Sequence, residues 1–167
     1  MKYLIILSLI LTGCSAFKPT DNKTSIYLGY GYPWKADNNG SQNLSASIER
    51  NGWKVGYTHR DSHTRTPWAK EHPEWPLIPI KRHSVLAVTR EAYRYNINKE
   101  CNLFFDLGLS YTTKISRETS SPISFHENLG AQCGIWRFQF THDSNAGLVP
   151  PNTGSDDFMI SFKLWGD

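Results

Sequence analysis

The stretch Cys101-Asn102-Leu103-Phe104-Phe105-Asp106-Leu107-Gly108-Leu109-Ser110-Tyr111-Thr112-Thr113 decides the fold. Leu103, Phe105, Leu107, Leu109 and Tyr111 fall on one side of a period-two repeat, and Phe104, Asp106, Gly108 and Ser110 on the other. A strand turns successive side chains to opposite faces, so these residues make one apolar face and one mixed face.

The same alternation recurs on both sides of that stretch. Thr24–Tyr32 sets Ile26, Leu28, Tyr30 and Tyr32 against Tyr27, Gly29 and Gly31. Asn43–Arg50 sets Leu44, Ala46 and Ile48 against Ser45, Ser47 and Glu49. Asn51-Gly52 follows, a tight-hairpin signal. In Trp53–Arg60, Trp53, Val55 and Tyr57 oppose Lys54, Gly56 and Thr58. A strand near His83–Tyr95 has no clear facing. Another spans about Ile123–Cys133, and Gly134 marks a turn. Ile135–Ser144 carries Trp136, Phe138 and Phe140 against Arg137, Gln139 and Thr141. Asp156–Trp165 carries Phe158, Ile160, Phe162 and Leu164 against Met159, Ser161 and Lys163.

Eight strands result, joined by connections that alternate in length. Tyr32–Asn43, Arg60–His83, Thr113–Ile123 and Ser144–Asp156 are long, whereas Arg50–Trp53, Tyr95–Cys101 and Cys133–Ile135 are short. Outer-membrane barrels have short periplasmic turns and longer outer loops. The pattern predicts an all-β fold, an eight-stranded antiparallel up-and-down outer-membrane β-barrel with both ends in the periplasm. Lipid would meet the aromatic face, and Lys54, Asp106, Arg137, Gln139 and Lys163 would fill the interior. A soluble barrel or sandwich with the same alternation inverted is the other reading, because alternation alone does not say which face is wet.

Composition narrows the function classes. With 167 residues the chain has room for one domain. Lys and Arg number 18 against 15 Asp and Glu, a balance too even for a concentrated nucleic-acid-binding field. The long apolar run lies at the extreme N-terminus, which excludes a helical membrane protein. There, Met1-Lys2-Tyr3 precedes Leu4–Leu11, a stretch with the length of a signal-peptide core. Leu11-Thr12-Gly13-Cys14-Ser15 resembles a bacterial lipoprotein box, with Cys14 as the lipidation site; cleavage after Ala16 competes with it. Residues 1–13 therefore read as signal, 14–23 as a polar tether and 24–167 as the barrel domain.

Two further clusters bear on structure and chemistry. Cys101 starts one strand and Cys133 ends the next, so pairing around the intervening loop brings them near cross-strand opposition. The compartment permits a disulfide; the alternative is two small apolar fillers. Asp61–Arg82 holds His63, His72, Trp68, Trp75 and prolines 67, 73, 76 and 79. The histidine spacing fits no zinc ligand set, so no metal is expected, and the segment reads as a proline-stiffened outer loop.

The chemistry-bearing run is Phe140-Thr141-His142-Asp143-Ser144-Asn145-Ala146-Gly147-Leu148, followed by Pro150-Pro151-Asn152-Thr153-Gly154-Ser155-Asp156. A serine attacks an acyl carbon only when a base takes its proton, and the base works best when a third group orients it. His142 and Ser144 share the face of Trp136, Phe138 and Phe140. Asp156 has the parity of Phe158 and Ile160, whereas Asp157 points inward. A Ser-His-Asp triad is thus expected outside the barrel near its outer rim, where an acyl ester held in the outer leaflet would meet it.

His142 to Asp156 resembles the catalytic region of lipid A 3-O-deacylases of the PagL type, through its His-x-Ser-Asn-Ala-Gly-Leu run and Pro-Asn-x-Gly. The resemblance implies an eight-stranded outer-membrane barrel that removes the ester-linked acyl chain at position 3 of lipid A. It implies Ser144 as nucleophile, His142 as base and Asp156 as the acid, where the family typically has Glu. Asn145 resembles the oxyanion-hole residue, with backbone N–H groups around Ala146 and Gly147. Pro151 and Asn152 look like site-shaping loop elements. No cofactor is implied. The implied partners are lipopolysaccharide and outer-membrane lipid, with no nucleic acid and with a homodimer left open. The lipoprotein-like Cys14 departs from the family. The alternative function is a non-catalytic outer-membrane barrel or lipid-binding lipoprotein.

Overall fold

A computed structural model describes residues 23–34, 41–65, 78–116, 119–149 and 154–166. The signal segment, Cys14, His72, Trp68, Trp75, Pro151 and Asn152 lie outside the described residues. Ten strands run in chain order: β1 (Thr24–Pro33), β2 (Asn43–Arg50), β3 (Trp53–Arg60), β4 (His63–Arg65), β5 (Ile78–Ile80), β6 (His83–Asn96), β7 (Cys101–Thr112), β8 (Ile123–Cys133), β9 (Trp136–Ser144) and β10 (Ser155–Trp165).

Among the described residues, eight of these strands close into a barrel in the order β1-β10-β9-β8-β7-β6-β3-β2, every neighbour antiparallel. Closure leaves no strand edge, so backbone groups are paired all round the wall. Asn51 and Gly52 take positive φ of 54° and 73°, the primed turn that suits the twist of a two-residue hairpin.

The wall is inside-out by the standard of a water-soluble domain. Leu44, Leu86, Leu129 and Leu164 point outward and are each half exposed or more, up to 61% for Leu129. Inside, the buried set is mostly polar, and the apolar minority includes Tyr27, Val85, Phe104 and Met159. Trp53, Tyr93, Tyr95, Trp136 and Trp165 form an exposed aromatic girdle at the short-turn end. Such girdles mark the interface levels of barrels that sit in bilayers.

Two charged layers plug the lumen. Towards the short turns, Lys54 Nζ donates to Asp106 Oδ2 at 2.8 Å. Arg137 lies between the Tyr27 and Phe104 rings, 4.3 and 4.6 Å from their centroids, and donates to Glu49 and Gln132. Towards the long loops, Arg60 pairs with both Asp143 and Asp157. Asp143 also accepts from Ser110 and His126, and Asp157 from Asn43. These buried charges stay because each is matched by an opposite charge and by hydrogen bonds. Between the layers, a cavity of about 30 Å³ lined by Ser47, Lys54, Thr89 and Gln139 has the size of about two water molecules. Among the described residues these side chains fill the lumen as a packed core.

Two features differ from the sequence reading. β6 carries a bulge between Glu91 and Tyr93, so Leu86 and Val88 face out before it and Tyr93 and Tyr95 face out after it. One extra residue reverses the parity, which is why no single facing could be read along this strand. The Asp61–Arg82 connection also contains a short ribbon, β4 with β5, in which Thr64 opposes Pro79. A two-stranded ribbon has free edges, so a proline without an N–H is tolerated there.

Candidate active site

The site lies on the outward face where β8, β9 and β10 reach the long loops. β9 and β10 pair with His142 opposite Asp156. The imidazole Nδ1 and Asp156 Oδ1 are 2.6 Å apart, with the carboxylate accepting from the ring N–H. This contact fixes the ring and leaves Nε2 as the nitrogen able to accept a proton. The His142 side chain is 35% exposed and that of Asp156 13%. Asp157, one residue on, is in the lumen with 1% exposure.

Ser144 ends β9 on the same face, opposite Phe125 of β8. Its Oγ accepts a long hydrogen bond, 3.4 Å, from the Ala146 N–H. Among the described residues no hydrogen bond joins Ser144 to His142. Nucleophile–base contacts are often loose before substrate is bound.

After Ser144 the chain turns sharply. Ala146 and Gly147 both take positive φ, 53° and 73°, and Leu148 N–H donates to Asn145 O at 3.1 Å. A non-glycine residue held at positive φ stores strain that the surroundings must hold in place. Asn145 does much of that holding. It is 3% exposed, and its Nδ2 donates to Ser120 Oγ at 2.8 Å and to Val149 O at 2.9 Å. Ser120 Oγ in turn donates to Val149 O. Asn145 Nδ2 thus ties the loop together, and the Ala146 N–H meets Ser144 Oγ at the same corner.

Three contributors have no role assigned by the sequence reading, although Gly154 closes its Pro-Asn-x-Gly motif. Gly154, at φ +69°, packs against the imidazole so closely that a Cβ there would lie 2.7 Å from His142 Cε1. Trp34 donates its backbone N–H to Asp156 O at 2.7 Å and packs edge-on against Phe140, with centroids 6.4 Å apart. Glu127 sits across from His142 on β8. Alternation read along Ile123–Cys133 would have faced Glu127 outward; the approach of Gly154 follows from a loop conformation that carries no such pattern.

Away from this site, Cys101 and Cys133 are directly opposed on β7 and β8 and form a disulfide, Cα atoms 4.1 Å apart, at the short-turn end. His63 is buried at the base of the β4–β5 ribbon, with Nδ1 3.2 Å from Asp61 O. Among the described residues no group of three or more His, Cys, Asp or Glu side chains could hold a metal ion.

Fold and wall together define an eight-stranded antiparallel barrel of the outer-membrane kind. Among solved structures, the crystal structure of the outer membrane enzyme PagL aligns with a TM-score of 0.55 at 14% identity, over 84% of this chain and 99% of that one. The Yersinia pestis outer membrane protein Ail, determined in a phospholipid bilayer nanodisc, aligns with a TM-score of 0.44 at 19% identity, over 86% of this chain and 100% of that one. No protein-family model and no curated protein matches the sequence. At these identities the likeness to PagL is one of fold.

Proposed function

We propose that the chain is an outer-membrane esterase of the lipid A 3-O-deacylase type, hydrolysing an ester-linked 3-hydroxyacyl chain of lipopolysaccharide through Ser144, His142 and Asp156. The observation that carries this reading is the 2.6 Å His142–Asp156 contact on the apolar outer wall, with Ser144 two residues along the same face. An ionisable pair on a face shared with Phe140, Phe158 and Leu129 costs free energy unless it is used. A substrate whose acyl chains already lie in the outer leaflet reaches that wall without leaving the membrane.

In this reading Ser144 Oγ attacks the ester carbonyl and its proton passes to His142 Nε2. Asp156 holds the ring and stabilises the imidazolium. The carbonyl oxygen gains charge beside the Ala146 and Gly147 N–H groups, in a corner held by Asn145, where preorganised donors contribute most. Nε2–H then protonates the departing sugar oxygen. Water, deprotonated by His142, releases the fatty acid from Ser144. Pro151 and Asn152 would shape the loop beside this corner.

The test is incubation of the purified chain with lipopolysaccharide in detergent, followed by mass spectrometry of lipid A. The expected result is loss of one hydroxyacyl mass that Ser144→Ala abolishes. A folded wild-type chain that leaves the mass unchanged would overturn the reading in favour of a non-catalytic barrel.

A further inference from the structure

Asp156 is one of two carboxylates that flank the imidazole. β8 pairs with β9 so that Glu127 lies opposite His142, as Asp156 does from β10. Glu127 faces outward, since its neighbours Ser124, His126 and Asn128 are buried in the lumen while Leu129 is exposed. Its next neighbour across β7 is Leu107. No hydrogen bond or ion pair joins the Glu127 carboxylate to another described side chain, and the strand register sets it opposite His142. An unpaired carboxylate set among Leu107, Phe125 and Leu129 is expensive to keep.

We infer that Glu127 is a positioning residue of the hydrolytic site: from the strand opposite Asp156 it supplies a second counter-charge to the imidazolium that His142 becomes. The inference rests on the esterase reading above. When the Ser144 oxygen bonds to the carbonyl carbon, the carbonyl π pair moves onto oxygen and the hydroxyl proton moves to Nε2. Until the carbon–sugar-oxygen bond breaks and takes that proton, the ring carries a full positive charge. Three carboxylates lie near it. Asp156 is hydrogen-bonded to it, and Asp143 faces the lumen, where Arg60 pairs with it and His126 and Ser110 hydrogen-bond it. Glu127 alone among them has no other described partner. In a wall that excludes water its attraction is worth more than in solution.

The experiment measures kcat and KM for lipopolysaccharide deacylation by the full chain, with Glu127→Gln, Glu127→Asp and Ser144→Ala beside it, each checked for the folded barrel by circular dichroism. Glu127→Gln keeps the shape and removes the charge; it is expected to lower kcat by roughly tenfold while KM stays within about twofold. Glu127→Asp keeps the charge and recovers at least part of the loss. Wild-type kcat in the Gln variant overturns the inference. So does an Asp variant as slow as the Gln variant, a change confined to KM, or a Gln variant that no longer folds. If wild type and Ser144→Ala alike leave lipid A intact, the esterase reading itself has failed, a result distinguishable from an active enzyme indifferent to Glu127.

Discussion

Asp156 and Asp157 are joined by one peptide bond and serve opposite sides of the barrel wall. Asp156 Oδ1 holds His142 Nδ1 at 2.6 Å on the outside, and Asp157 pairs with Arg60 and accepts from Asn43 Nδ2 inside. The two should therefore separate activity from stability. Asp156→Asn is expected to lower kcat by roughly 10³-fold or more with little change in unfolding. Asp157→Asn leaves Arg60 with one carboxylate fewer and should cost on the order of 3 kcal/mol of stability, while the folded fraction keeps kcat within a few-fold. Deacylation kinetics and urea unfolding of both variants check this, and equal effects on kcat would contradict the facing of the two side chains.

Gly154 offers a second test. A Cβ at this position would meet His142 Cε1 at 2.7 Å and would sit at positive φ. Gly154→Ala should displace the ring that Asp156 holds and lower kcat by roughly 10- to 100-fold. An alanine variant with normal kcat would show that the close approach does not set the ring position.

The loop corner depends on Asn145 and Ser120 acting together, since Asn145 Nδ2 donates to Ser120 Oγ at 2.8 Å. Asn145→Ala and Ser120→Ala should each lower kcat, and the double variant should lose less than the product of the two. A coupling of about 0.5–3 kcal/mol is expected for groups in one hydrogen-bond network. Additive losses in the double-mutant cycle would mean that the two side chains hold the corner independently.

The Cys101–Cys133 bridge is remote from the site and closes a 32-residue separation. Replacing both residues with serine should leave deacylation unchanged and lower stability by at most about 4 kcal/mol, less where strand pairing already restrains the ends. Thiol counting by mass spectrometry without reductant should find neither sulfur free. Two free thiols there would contradict the bridge.

Much of this was legible because a strand's side chains alternate. Parity set His142 and Ser144 on the face of Phe140, put Asp156 with Phe158 and gave Asp157 the opposite face; the alternating loop lengths of an outer-membrane barrel turned the first face outward. It failed along His83–Asn96, where the bulge after Glu91 reverses the faces. It did not reveal the β4–β5 ribbon, whose three-residue strands are too short to show a period. The Arg60 clamp was hidden for another reason. Its partner Asp143 lies 83 residues away, and only barrel closure brings the two together. The Gly154 approach depends on a loop backbone that side-chain pattern does not encode.

The alternation has a consequence for how such a chain can diverge. In β9 and β10, the greasy-side chemistry and the lumenal plug are written on interleaved positions, His142 beside Asp143 and Asp156 beside Asp157. A one-codon deletion between Trp136 and Thr141 would swap the two scripts of β9 at once, sending the base inside and a plug carboxylate out to hydrocarbon. β6 carries its own extra residue between Glu91 and Tyr93, close to the short turn. A change of length in the two final strands therefore disturbs chemistry and plug together, and their reading phase is locked.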